Sequence, residues 1–266
     1  MSLLPLGSDH VDAVLFDLDG VLTDSAALHA MAWKRLFDDI LHNRNGEGFH
    51  PFDADLDYRH FVDGKPRDDG IRSFLASRGM KLPEGEPDDP DTALTVHGLG
   101  KRKNGFFLTA LAENGIATFP AALDFLSKVR AADLKTALVS SSRNARVIIE
   151  MLGLSDKFDG WIDGEDVLTK GLSGKPAPDM FLAAAAALRV EPGRAVVVED
   201  AIAGVEAGVR GRFGLVIGVD RTHHPEALAA AGAHLVVSQL SDVPVAARDP
   251  QSIDALPPAR EANLHE

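Results

Sequence analysis

Val11-Asp12-Ala13-Val14-Leu15-Phe16-Asp17-Leu18-Asp19-Gly20-Val21-Leu22-Thr23-Asp24-Ser25 opens as a short apolar run and closes in turn chemistry. The run 11–16 is rich in β-branched residues and is stopped by Asp17 and then Gly20, the pattern of a buried strand. Two carboxylates two residues apart, Asp17 and Asp19, are unfavourable at the end of such a strand unless a cation neutralises them. Magnesium suits the place, because it is a hard ion that takes oxygen ligands and leaves part of its shell to phosphate. Taken alone, the string also reads as an Asp-rich turn with an N-cap at Asp24 or Ser25.

Working outward, three similar apolar runs follow at wide intervals, 134–139, 195–198 and 215–219, with 235–237 as a weaker fifth strand. Between them lie helical patterns at 121–132, 143–152, 178–188, 202–210 and 225–231. Strand and helix in alternation predict right-handed crossovers and a parallel sheet covered on both faces, with functional groups at the carboxyl ends of the strands. Residues 26–114 break the rhythm. Helical stretches at 26–41, 68–78 and 102–113 are separated by Gly-, Pro- and Asp-rich connections, and no strand is expected there. This reads as a helical lobe inserted after the first strand, in which 43–57 and 82–91 form long surface loops. The expected division is a core of 1–25 and 115–245, a cap of 26–114 and a loosely packed tail of 246–266.

Composition narrows the chemistry. Forty acidic residues against 27 basic give a formal charge of -13, which argues against nucleic acid as a partner. The absence of cysteine excludes disulfides, thiolate metal sites and a cysteine nucleophile, so oxygen, nitrogen or a hard metal must do the work. The longest apolar run, 180–188, is too short to span a membrane, and the first ten residues lack a signal-peptide pattern, so the expectation is a cytoplasmic protein with no membrane partner.

The remaining chemistry stands at strand ends. Glu199-Asp200 follows Val196-Val197-Val198, placing adjacent carboxylates just past an apolar strand. Ser140-Ser141-Ser142 follows Leu138-Val139 and opens a helix, where free backbone N–H groups and hydroxyls can hold a phosphate. Gly174-Lys175-Pro176-Ala177-Pro178-Asp179 sets one lysine in a rigid turn before a helix. Singly these are an acidic turn, a serine cap and a solvated lysine; in this order, each at a strand end, they form a pattern.

With those residues in view, the sequence resembles the haloacid dehalogenase-like superfamily of phosphohydrolases and phosphomutases over nearly its whole length. The resemblance implies an α/β fold, a Rossmann-like doubly wound parallel sheet with an inserted α-helical cap, and one Mg2+. It makes Asp17 the nucleophile that becomes an aspartyl phosphate. Asp19 becomes the general acid/base, and Ser140 and Lys175 hold the transferring phosphoryl group. The implied metal ligands are Asp17, Asp19 through its backbone carbonyl, and Asp200, with Glu199 close by.

The cap motifs look like those of the β-phosphoglucomutases: His29 five residues after Asp24, then Gly64-Lys65-Pro66-Arg67 and Lys101-Arg102-Lys103-Asn104. By that resemblance His29 assists proton transfer near Asp19, Arg67 binds a distal phosphate, and Lys103 and Asn104 line the sugar. Ser142-Arg143-Asn144 meets the non-transferring phosphate, and Gly20, Asp24 and Ser141 belong with the substrate site. Ser25 stands where such mutases tend to carry threonine, and it keeps the hydroxyl. Each cation alone would be a solvated charge and His29 an ordinary helix histidine at the edge of a core. The implied activity is a phosphomutase that interconverts β-D-glucose 1-phosphate and glucose 6-phosphate through β-glucose 1,6-bisphosphate. The alternative is a magnesium-dependent phosphatase of a small sugar phosphate. In either case the partner is a small-molecule sugar phosphate and the expected state is a monomer.

Overall fold

The computed structural model describes residues 5–7 and 9–246. In chain order the elements are β1 (Ala13–Phe16), β2 (Thr23–Asp24), α1 (Ala26–Asn45), α2 (Arg67–Ser77), α3 (Val96–Asn114), β3 (Ala117–Thr118) and α4 (Pro120–Ala131). There follow β4 (Lys135–Val139), α5 (Ala145–Met151), β5 (Gly160–Ile162), α6 (Gly164–Thr169) and α7 (Asp179–Leu188). The last are β6 (Ala195–Glu199), α8 (Ile202–Arg210), β7 (Leu215–Val219), α9 (Pro225–Ala230) and β8 (Leu235–Val237).

Six strands form one sheet in the order β5-β4-β1-β6-β7-β8, and every neighbouring pair is parallel. β1 sits inside it, with Leu15 opposite Ala137 on one side and Val197 on the other. Successive β1 side chains point to opposite faces, as strand geometry requires. Val14 and Phe16 join a cluster with Phe125, Leu126 and Val129 of α4 and Ile148 of α5. Ala13 and Leu15 join another with Met180, Phe181 and Leu188 of α7 and Val205 of α8. The sheet is therefore apolar on both faces, which is why its strands read as continuous hydrophobic runs. The α/β architecture expected from the sequence is present.

A third cluster lies wholly within residues 33–99: Trp33, Phe37 and Leu41 of α1 pack on Phe74 and Ile71 of α2, Leu99 of α3, and Phe52. None of the six sheet strands falls in 26–114. The segment is joined to the sheet by a small antiparallel hairpin of β2 and β3, with Thr23 opposite Thr118 and Asp24 opposite Ala117.

The structure corrects the sequence reading in several places. Residues 43–57 are not a plain surface loop: α1 continues to Asn45, and Phe52 is only 1% exposed, stacked among Phe37 and Phe74. Its backbone is pinned by Lys34 Nζ donating to its carbonyl at 2.9 Å and by its N–H donating to Asp38 Oδ1 at 2.7 Å. α3 starts at Val96 rather than at 102, because Thr95 caps it by accepting from the Gly98 N–H at 3.0 Å. β5 and α6 were not expected; β5 is short and includes a glycine, which leaves no periodic signal. The expected tail, 246–266, lies outside the described residues apart from Ala246. No helix among the described residues is long and apolar enough to cross a membrane.

Candidate active site

The carboxyl ends of β1, β4 and β6 meet at one buried cation. Lys175, in the loop before α7, donates from Nζ to Asp17 Oδ1 at 2.5 Å, to Glu199 Oε1 at 2.6 Å and to the Val139 carbonyl at 3.0 Å. All three donors of the ammonium are thereby used. Burial works against the charge of Lys175, but Asp17 and Glu199 outweigh it and hold its pKa above the ordinary lysine range. Asp17 is fixed by its own N–H, which donates to the Val198 carbonyl at 3.0 Å. The other oxygen of Glu199, Oε2, accepts from the N–H groups of Asp200 and Ala201, each at 3.1 Å, and so shapes the loop after β6.

One oxygen each from Asp17, Glu199 and Asp200 comes within 4.8 Å of the others. Lys175 is paired with two of these three carboxylates, Asp17 and Glu199. Burial pushes Asp17 well above the usual carboxylate range despite the opposing pull of Lys175. Burial does the same to Asp200, reinforced by Asp63 and Glu199. An all-oxygen trio with uncompensated negative charge fits a hard divalent cation, which would remove the excess. Gly20 is required here. Its φ is +84°, and a Cβ would lie 1.7 Å from Asp200 Oδ2, so only glycine lets the turn after Asp19 pass this carboxylate.

The Asp19 carboxylate is directed elsewhere. Ser25 Oγ donates to its Oδ1 at 2.5 Å, and His29 Nε2 lies 3.4 Å from the same oxygen. On the other side of the ring, Lys103 Nζ donates to His29 Nδ1 at 2.7 Å. An ammonium can only donate, so Nδ1 accepts and the ring proton sits on Nε2, which has no hydrogen-bond partner of its own among the described residues. Burial and the neighbouring Lys103 hold His29 below its ordinary pKa, which keeps the ring neutral. For Asp19, burial acts upward, but His29, Ser25 and Lys103 together leave its pKa lowered.

A second polar group contributes to the same cleft. Ser140 and Ser142 lie in the turn after β4, where Ser140 Oγ accepts from the Ser142 N–H at 3.1 Å and Ser142 Oγ from the Asn144 N–H at 3.2 Å. Ser141 Oγ donates to the Gly64 carbonyl at 2.7 Å, joining this turn to the segment before α2. Arg67 and Asn144 both donate to Asn104 Oδ1, at 2.8 and 2.9 Å. Arg143 donates to Asp68 Oδ2 at 3.0 Å. Burial, and then the charge of Arg143, pull Arg67 down to about 10. The charge of Arg143 beside a buried Arg67 makes a place that an anion would relieve.

Asp17, Asp19 and Asp200 line a single cleft of about 600 Å³ together with Arg67, Arg143 and Asn144. His29, Lys103 and Ser140, Ser141 and Ser142 lie on its walls. Lys175 and Glu199 stand behind Asp17, fully enclosed, and Asn104 supports Arg67 and Asn144 from outside the lining. Asp24 lies apart from the cleft: it is exposed and committed to the β2–β3 hairpin, where strand alternation turns its side chain away from buried Thr23 and Ser25. Sequence reasoning missed Tyr58 and Asp63, which also line the cleft. Tyr58 is the single tyrosine of the chain, and Asp63 immediately precedes Gly64, so both stood beside a motif already singled out.

The haloacid dehalogenase-like hydrolase family model matches residues 11–211. A curated β-phosphoglucomutase of Mycobacterium bovis is 46% identical over 241 residues, covering 88% of this chain and 92% of that protein. The β-phosphoglucomutase of Bacillus subtilis is 33% identical over 233 residues, covering 87% and 91%. A crystal structure of β-phosphoglucomutase from Clostridium difficile superposes with a TM-score of 0.69 at 29% identity, covering 88% of this chain and 93% of that one. The chain belongs to the haloacid dehalogenase-like hydrolases and, within them, to the β-phosphoglucomutase family.

Proposed function

We propose that this protein interconverts β-D-glucose 1-phosphate and glucose 6-phosphate through β-glucose 1,6-bisphosphate. The observation that carries the reading is one cleft lined both by Asp17, which Lys175 backs, with Ser140, and by the two guanidiniums Arg67 and Arg143. A bisphosphate needs two anion sites on either side of a sugar, and a single-phosphate substrate does not.

In this reading Asp17 attacks phosphorus, the bond from phosphorus to the sugar oxygen breaks, and Asp19 supplies the proton that the departing hydroxyl takes. In the reverse half, Asp19 receives the proton of the attacking hydroxyl while the phosphoryl group leaves Asp17. His29 stands beside Asp19, with Nε2 3.4 Å from Oδ1, and Lys103 contacts the other ring nitrogen. Lys175 neutralises Asp17 and Ser140 offers a hydroxyl to the phosphoryl oxygens. Asp17, Asp200 and Glu199, with the Asp19 main chain, would hold Mg2+, which when bound neutralises charge on the phosphoryl oxygens. Arg67, Arg143 and Asn144 bind the other phosphate, so the sugar can turn end for end while the acidic group stays fixed.

The reading carries with it a core of 1–25 and 115–245, a cap of 26–114, and a cytoplasmic monomer whose partner is a small-molecule sugar phosphate. A coupled assay tests it. With β-glucose 1-phosphate, Mg2+ and a trace of bisphosphate, glucose 6-phosphate should form faster than free phosphate. Phosphate release without isomerisation would make the protein a phosphatase instead.

A further inference from the structure

Asp63 is a cleft carboxylate with no role in the chemistry above. It follows the short π-helical turn Tyr58–Val62, and its N–H donates to the Tyr58 carbonyl at 3.0 Å. Tyr58 and the Gly64 N–H lie near enough to the Asp63 carboxylate to favour its ionised form. Burial, and then the charge of Asp63, raise Tyr58 well above the ordinary phenol range, so it keeps its proton and remains a donor. Among the described residues no lysine, arginine or histidine forms an ion pair with Asp63.

The segment that carries Asp63 is fixed on three loops of the sheet. Gly64 accepts from Ser141 Oγ at 2.7 Å and packs so closely on Ala201 that a Cβ would lie 2.7 Å from the alanine Cβ. Pro66 fills the space over Gly174, where a Cβ would approach its ring to 2.0 Å. Asp63 is therefore placed rigidly, on the same segment as Arg67 and open to the same cleft as Asp19 and Asp200. A carboxylate crowded by protein, without a counter-charge, is unfavourable unless other donors reach it. It has about four acceptor positions.

The lysines and arginines of this cleft suit phosphates, and the Asp17, Glu199 and Asp200 carboxylates are taken up by Lys175 and the cation they fit. What a sugar offers between two phosphates is hydroxyl donors. We propose that Asp63, held at the cleft by the docked segment around Gly64, is a specificity-determining residue that accepts hydrogen bonds from adjacent hydroxyl groups of the sugar. This rests on the sugar-phosphate reading above. Hydroxyl donors stabilise the ionised carboxylate, which burial and the nearby Glu199 otherwise push up to about 7.

Steady-state kinetics of the full-length wild type, Asp63→Asn and Asp63→Ala test the proposal with two substrates. One is β-glucose 1-phosphate; the other is acetyl phosphate, a phosphoryl donor without a sugar. The Mg2+ dissociation constant is measured by calorimetry in parallel. The expected result is a KM for β-glucose 1-phosphate raised about tenfold or more in Asp63→Ala and less in Asp63→Asn, the loss of one or two good hydrogen bonds. Acetyl phosphate hydrolysis and the Mg2+ constant should stay within about twofold. Equal losses on both substrates, or a Mg2+ constant that weakens as much as KM rises, would overturn it and make Asp63 part of the cation site. Asp63→Asn keeps the side-chain shape, and an unchanged melting curve shows that it folds. Wild-type enzyme without activity on any sugar phosphate would defeat the underlying reading as well, a result distinct from an active enzyme indifferent to Asp63.

Discussion

The ammonium of Lys175 lies 2.5 Å from Oδ1 of Asp17, and both side chains are withdrawn from water. The contact joins residues 158 positions apart in the chain and ties the loop before α7 to the end of β1. Since the same ammonium serves Glu199, Lys175→Met leaves two buried carboxylates without their counter-charge. Breaking a buried pair on one side costs about 3–5 kcal/mol, so urea unfolding without added metal should show a loss of that order. Saturating Mg2+ should restore part of it, because a cation at the trio supplies the missing charge.

Gly64 carries a φ of +68° and has no space for a Cβ against Ala201. Gly64→Val therefore strains the backbone by about 1–3 kcal/mol and pushes residues 62–66 off the sheet loops. Water gains access to Asp17. In the coupled assay, the ratio of free phosphate to glucose 6-phosphate should rise, whereas a change in the unrelated exposed residue Leu94→Val should leave it unaltered.

The pH dependence of Asp63 has a definite sign. Its pKa rises from 3.8 to about 7 in the folded protein, so the folded state holds a proton that the unfolded chain gives up. That contribution to stability is complete below the unfolded value and is lost as pH rises through about 7. Asparagine has no such loss. The melting temperature of Asp63→Asn minus that of wild type, measured in EDTA, should widen from about pH 4 to about pH 7 and then level off.

Arg67 and Lys103 are two cations of the cleft. Arg67→Ala removes charge-assisted hydrogen bonds worth about 1.5–3 kcal/mol, so bisphosphate affinity should fall roughly tenfold to a hundredfold. Affinity for a small phosphate donor should change much less. Lys103→Met should also raise the melting temperature, since burial and Arg67 hold the Lys103 pKa well below the lysine range and the charge is carried at a loss.

The sheet could be read from the sequence because each buried strand is an apolar run that stops at a polar residue. Asp17, Ser140 and Glu199 are where those runs stop, so the same signal located one part of the cleft. β5 escaped because Gly160–Ile162 is too short to show a period, and the β2–β3 hairpin because its strands have two residues each. Phe52 was misplaced because turn-forming neighbours outweighed one aromatic residue, while the fold needed it between Phe37 and Phe74. Tyr58 and Asp63 had no spacing rule to announce them. Their position depends on docking of the 62–66 segment, a tertiary contact that local sequence does not encode. Asp24 shows the converse, a motif residue that hairpin geometry keeps out of the cleft.

The central claim is that Asp17 carries the phosphoryl group. Wild-type protein quenched in acid during turnover with labelled β-glucose 1,6-bisphosphate should yield one phosphorylated peptide, that containing Asp17, by mass spectrometry. The label should pass to the sugar when β-glucose 1-phosphate is added before the quench, and Asp17→Asn should give none. Label on His29 or a serine, or undiminished labelling and turnover in Asp17→Asn, would contradict the account.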